Sequence, residues 1–286
     1  MLGMLGKCWS YMWMNETALP KTDPFTGKPL KEASPAATVV IFREQPDGQP
    51  PHILMVERSS KMAFAAGAAV FPGGRVDEAD FEYARQLGHK DIDEYGARIA
   101  AIREAIEETG IAVGIQGAVS EEQLKQARHA LNEERRPLSE LCEQFGWTLE
   151  LESLIPFARW RPPFNEKRIF DTRFYIIADD DDSIEAIVDQ TENYHLFWDS
   201  AQNVLDKHEA GEIKVIFPTK RNLERLVQLN DLDDARRHAE EYPAELVVPF
   251  IEERDGKPHL CIAEGRGYPV TAEAMDTVMR GSKPAK

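Results

Sequence analysis

Glu104, Glu107 and Glu108 fall within five residues of one another in the stretch REAIEETGI, Arg103 to Ile111. At about 100° per residue a helix puts all three on one side and Ile99, Ile102, Ala105 and Ile106 on the other. One face is core and the other is acid. Like charges at i,i+3 and i,i+4 repel by roughly a few tenths of a kcal/mol even when exposed, and burial drives carboxylates toward protonation unless cations intervene. The chemistry this spacing suits is the binding of a hard divalent ion, Mg²⁺ or Mn²⁺, which takes carboxylate oxygens and shares its coordination with water and phosphates. Arg103 precedes Glu107 by four residues, close enough on a helix to hold that carboxylate charged.

An acidic helix face is ordinarily solvated surface, and the flanking elements argue against that here. Upstream, VFPGGRVDEAD (Val70 to Asp80) brings a β-branched and aromatic run to a Pro-Gly-Gly turn, where backbone approaches a ligand closely. Downstream, Gly110 stops the helix, and IAVGI resumes as a strand-like run. The acids are therefore expected on a short helix held between a glycine turn and a strand.

This combination resembles the Nudix hydrolase family, whose signature is Gly-x5-Glu-x7-Arg-Glu-U-x-Glu-Glu-x-Gly-U, U being aliphatic. Arg103, Glu104, Glu107, Glu108, Gly110 and Ile111 match its second half, with Ala105 as a small U. In the first half, counted from Gly74, Asp80 stands at the glutamate position, with Asp77 and Glu78 as neighbours that could substitute. Residues 81 to 102 then replace seven expected residues, an insertion of 15. An interrupted box behind FPGG is similar to the branch holding the peroxisomal coenzyme A and acyl-coenzyme A diphosphatases. In Leu54 to Gly74, residues Arg58, Ser59, Gly67, Phe71, Pro72, Gly73 and Gly74 fall in register with that branch's coenzyme A pattern, while Val56 and Ala63 depart from it. The likeness continues through Ala158 to Ile177 and Phe217 to Leu226, covering roughly residues 36 to 270.

The resemblance implies an α/β (α+β) fold, the Nudix α/β/α sandwich with a mixed sheet and helical insertions. It implies Mg²⁺ or Mn²⁺ on Glu104, Glu107 and Glu108, with Glu104 orienting or deprotonating water, Arg103 in electrostatic support and a carbonyl of the Gly73-Gly74 turn completing a metal shell. Glu192, ahead of YHLFW, is the further acidic residue expected near the metals. Arg58 is expected at the substrate, with Lys61 or Arg168 supplying the charge that Ala63 lacks. The activity implied is hydrolysis of the diphosphate in coenzyme A, acyl-coenzyme A or a related nucleoside diphosphate conjugate. ADP-ribose or a nucleotide sugar is the alternative substrate, and a non-catalytic Nudix-fold binding or regulatory module the alternative class.

The rest of the chain bounds these readings. A formal charge of −16 and a pI near 5.0 argue against a duplex nucleic-acid binder. Cys8, Cys142 and Cys261 form no disulfide pattern, which fits a reducing cytoplasm. The apolar start MLGMLGKCWSYMWM is too short to span a bilayer and reads as a peripheral anchor or, by preference, as an upstream start ahead of Met14. Residues 1–35 form an irregular leader, 36–270 the domain, with insertions at about 81–95 and 118–147, and 271–286 a tail.

Structure is expected to begin with a strand at Ala37 to Phe42, a PDGQP turn and a returning strand, HILMVER. Phe81 to Tyr95 reads as a surface loop, short helix or rim over the site. Ser120 and Gln123 suggest a capping box opening one helix, PLSELCEQFG a second, the pair a packing accessory or a homodimer surface. LIPFARW and IFDTRFYII read as strands. Arg159, Arg161, Lys167, Arg168 and Arg173 are candidates for substrate phosphates, or else structural partners of Asp171 and Glu166. Asp179 to Asp182 reads as a solvated turn, His195 as packed, and Asp255-Gly256 as a hairpin turn.

Overall fold

The computed structural model describes residues 21–23, 27–58, 67–117, 119–163, 169–179 and 193–281. The hairpin expected at the start is present: β1 (Ser34–Arg43) and β2 (His52–Arg58) are antiparallel, with Phe42 opposite Ile53. β3 (Ala69–Val70) follows β2 in the sheet. The Pro-Gly-Gly segment departs from the expected turn, because Gly73–Arg75 is a strand, β4, paired antiparallel with the first half of β1.

The segment that interrupts the box is largely helical. Asp77 and Asp80 form a capping box that opens α1 (Glu78–Gln86), and Asp91 accepts the Glu94 N–H to start α2 (Ile92–Thr109). The acid-bearing helix is thus 18 residues long and not short. Gly110 ends it in the left-handed conformation, its N–H on the Ile106 carbonyl. The run IAVGI is mostly not strand. Ile111 and Val113 are buried by packing, and only Ile115–Gln116 pairs, as β5.

Ser120 and Gln123 cap each other at the start of α3 (Glu121–Asn132), followed by α4 (Leu138–Phe145) and β6 (Thr148–Leu149), which pairs with β5. Next come β7 (Ile155–Trp160), β8 (Phe170–Ala178) and β9 (Asn193–Ser200). Helices α5 (Ala201–Glu209), α6 (Phe217–Leu226) and α7 (Leu232–Glu241) lead to β10 (Leu246–Val247). The chain closes with β11 (Phe250–Arg254), β12 (Lys257–Cys261), β13 (Ala272–Ala274) and α8 (Met275–Gly281). Asp255 and Gly256, both at positive φ, make the β11–β12 turn as expected, and residues 272–274 add a third strand to that sheet.

The main sheet runs β10-β7-β8-β1-β2-β3, with β4 also on β1 and β9 also on β2. It is mixed, since β1–β8 and β7–β10 are parallel and the other pairs antiparallel. Alternation along the central strands divides the core into two layers. Ala37, Val39, Ile41, Leu54, Tyr175 and Ile177 face α1 to α4, while Val40, Phe42, Ile53, Met55, Phe174 and Ile176 face α5 to α7. Helices on both faces of a mixed sheet give the expected α/β/α sandwich. Among the described residues, no helix is long and apolar enough to cross a membrane.

Candidate active site

Ile99, Ile102, Ala105 and Ile106 are fully buried against the sheet, which leaves the opposite side of α2 to its acids. One guanidinium gathers them. Arg103 Nε and NH2 donate to the two oxygens of Asp80 at 3.1 and 2.9 Å, and NH1 donates to Glu104 at 2.8 Å and Glu107 at 3.0 Å. NH2 also donates to the Arg75 carbonyl at 2.8 Å, tying the fork to the end of β4. Glu108 is held separately, accepting the Gly73 N–H at 2.9 Å.

Gly74 permits the approach of Glu104, and Gly73 the approach of β4 to β1. A Cβ at Gly73 would lie 2.5 Å from the Ala37 carbonyl, and one at Gly74 would run into the Glu104 carboxylate. The hydrogen bond shown from β4 to the acids of α2 is that of the Gly73 amide to Glu108.

Burial works against the charge on Arg103, yet Glu104 and Asp80 outweigh it and hold the guanidinium well above its ordinary value. Burial pushes the Glu104 carboxyl up, Arg103 opposes this, and repulsion from Glu107 and Glu108 adds to the rise. Burial likewise raises Asp80 against the pull of Arg103. Three carboxylates thus crowd around one buried guanidinium, with Glu108 beside them on the Gly73 N–H, so the acids outnumber the cation. Hard oxygen donors with excess negative charge fit a divalent cation, and Glu104, Glu107 and Glu108 are the residues present to hold one. Among the described residues no three His, Cys, Asp or Glu side chains converge as a metal-binding group, the acids being engaged by Arg103 and the Gly73 N–H.

The other candidates are scattered. Arg58 ends β2; its N–H and carbonyl bond to Ala68 and Gly67 across residues 59–66, and its Nε is buried with no hydrogen-bond partner among the described residues. Lys61, Arg168 and Glu192 lie outside the described residues, as do Lys167, Glu166 and Asp180 to Asp182. The described members of the basic cluster have structural partners. Arg159 forks Asp171 with both distances at 2.7 Å, Arg173 meets Glu94 at 3.3 Å, and Arg161 donates to the Lys31 carbonyl. Asp179 is no solvated turn residue, since it is buried against Arg43 and the pair braces β1 to the end of β8. His195 is exposed and stacks on Phe197, where packing was expected. A cleft of about 590 Å³ lies between α1 and α4, lined by Tyr83, Cys142 and Trp147; none of the acids of α2 lines it.

Two features of the site were not legible beforehand. Asp80, read only as a shortened glutamate position, forks the arginine that gathers the acids. From α3, Arg128 and Asn132 reach the backbone of Glu107 and Glu108. No spacing in the sequence names those carbonyls as partners.

The profile of the NUDT19 Nudix domain matches residues 82–226, just over half the chain. The chain belongs to this family of Nudix hydrolases. Acyl-coenzyme A diphosphatase NUDT19 of Gallus gallus is 26% identical over 271 residues, an overlap of 73% of this chain and 71% of that one. Putative nudix hydrolase 7 of Caenorhabditis elegans is 29% identical over 185 residues, covering 63% of this chain and 57% of that relative's length. A crystal structure of a Nudix hydrolase from Alicyclobacillus acidocaldarius shares the fold, with a TM-score of 0.62 at 23% identity, covering 73% of this chain and 97% of that one. Members of the Nudix family typically use a divalent metal, in keeping with the donor set on α2.

Proposed function

We propose that this Nudix chain hydrolyses the phosphoanhydride bond of a nucleoside diphosphate conjugate, coenzyme A or an acyl-coenzyme A, with Mg²⁺ or Mn²⁺ held by Glu104, Glu107 and Glu108. The reading is carried by one observation: Arg103 gathers Asp80, Glu104 and Glu107 beside the β4 glycines, where Glu108 is anchored. A divalent ion bound there would neutralise phosphate oxygens and lower the pKa of a bound water. The Gly73 carbonyl and Glu192 are proposed to complete its ligands. Glu104, in reach of Arg103 and against Gly74, is proposed to orient or deprotonate the attacking water. Arg103 holds the Glu107 carboxylate through a 3.0 Å hydrogen bond, and Asp80 keeps Arg103 in place.

The choice of substrate is supported by the activity named for the Gallus gallus relative and by the coenzyme A register around Arg58. Among the described residues the buried Arg58 Nε has no partner, which supports an anion contact for that side chain. Lys61 and Arg168 are proposed as further contacts to the substrate's phosphates. Cys142 and Cys261 are buried free thiols, which supports placement in a reducing cytoplasm.

The test is a screen of the purified full chain with Mg²⁺ or Mn²⁺ against coenzyme A, dephospho-coenzyme A, an acyl-coenzyme A and ADP-ribose, with product masses. Cleavage of coenzyme A to 4′-phosphopantetheine and 3′,5′-ADP, lost on chelation, is expected. Equal kcat/KM for coenzyme A and dephospho-coenzyme A would remove 3′-phosphate recognition. Turnover of ADP-ribose alone would change the substrate, and inactivity throughout would leave a binding module.

A further inference from the structure

The last turn of α2 carries Glu107 and Glu108, and it is where a helix runs out of partners for its carbonyls. Within the helix end, Gly110 N–H takes the Ile106 carbonyl at 3.0 Å, and Thr109 Oγ1 takes that of Ala105 at 2.6 Å. The carbonyls of Glu107 and Glu108 are satisfied from another helix. Arg128 donates through Nε to Glu107 at 3.0 Å and through NH2 to Glu108 at 3.1 Å, and Asn132 Nδ2 adds a bond to Glu107 at 3.2 Å.

Both donors stand one turn apart on α3, whose Leu124, Ala127, Ala130 and Leu131 are buried in the same core as Ile102 and Ile106. The helix that supplies the guanidinium is therefore fixed to the helix that receives it. Cationic charge at a helix C-terminus is also favoured by the helix dipole. The backbone of this turn sets the Cα–Cβ directions of Glu107 and Glu108, so fraying it would swing both carboxylates away from Arg103 and the Gly73 N–H.

We propose that Arg128 and Asn132, on the helix that follows the box, are positioning residues for the metal-binding carboxylates. They act on Glu107 and Glu108 through the backbone and touch no reacting atom. The proposal rests on the functional reading above.

The experiment compares full-length wild type with Arg128→Ala, Arg128→Lys and Asn132→Ala. Mn²⁺ binding is measured by calorimetry without substrate, amide exchange at Gly110 and Ile111, and activity against Mn²⁺ concentration. Arg128→Ala should weaken Mn²⁺ binding about tenfold and speed exchange in the turn. It should raise the half-saturating Mn²⁺, with kcat recovering toward wild type at saturation. Arg128→Lys should rescue only in part, because an ammonium cannot fork two carbonyls, and Asn132→Ala should cost about threefold. If Arg128→Ala fails to fold, the other two variants carry the test. Mn²⁺ affinity equal to wild type in the folded variants would overturn the positioning role alone, as would a fall in kcat with binding intact. A wild type that binds no Mn²⁺ would overturn the functional reading and this proposal with it.

Discussion

Arg103 is the residue on which the site's electrostatics turn, and the acids on and beside it can be tested by changes that keep shape and remove charge. Glu104→Gln and Glu108→Gln are each expected to lower kcat on the order of 10²-fold or more while folding survives. A folded variant with near wild-type turnover at saturating metal would remove that glutamate from the mechanism. Asp80→Asn acts on stability. Asp80 and Arg103 are both almost fully buried, and taking one charge from such a pair costs about 3 kcal/mol, the low end for a buried pair, because Glu104 and Glu107 remain on the guanidinium. A denaturant midpoint equal to wild type would refute it. The sequence made the Arg103 to Glu107 reach legible, because i,i+4 spacing is a property of one helix. It could not distinguish an arginine facing a phosphate from Arg159 or Arg173 facing Asp171 or Glu94, since those partners meet across strands or from a separate helix.

The junction of α1 with α2 shows how an insertion can serve the box it interrupts. At the crossing, a Cβ on Gly96 would lie 2.5 Å from Phe81 Cδ1, and Phe81 follows Asp80 directly. Alanine is the better helix former by roughly 1 kcal/mol, so Gly96→Ala would stabilise an isolated helix. Here it is expected to lower the melting temperature and weaken activity together, because moving α1 draws Asp80 off Arg103. A rise in melting temperature with unchanged kcat would show that the crossing tolerates the methyl group. Elements announced by strong local signals appeared where expected: the β1–β2 hairpin, the Ser120 capping box, β7, β8 and the Asp255-Gly256 turn. Others were hidden for identifiable reasons. Gly73 and Gly74 have poor strand propensity, and only the packing of β1 at Ala37 and Thr38 against Gly73 and of the Glu104 carboxylate against Gly74 explains why a strand there lacks side chains. Ile111 and Val113 have a strand's composition but are buried by packing without a ladder.

At the scale of the whole molecule, 50 acidic residues against 34 basic ones give a formal charge of −16, and the proposed substrate is itself polyanionic. Three of the described arginines do little to reverse that field. Arg103 is saturated by Asp80, Glu104 and Glu107, and Arg159 and Arg173 are paired with acids. An anionic conjugate therefore approaches against repulsion, which added salt screens. Between about 0.01 and about 0.1 M ionic strength the Debye length falls from about 30 to about 10 Å, short enough to hide most of the distant surface acids while leaving contacts inside the site intact. With metal held saturating, kcat/KM for the anionic substrate is expected to rise over this range through a lower KM, with kcat nearly constant. The opposite slope, a fall in kcat/KM with salt, would mean that a local positive field steers the substrate. That outcome would turn attention to Lys61, Lys167 and Arg168 as its source.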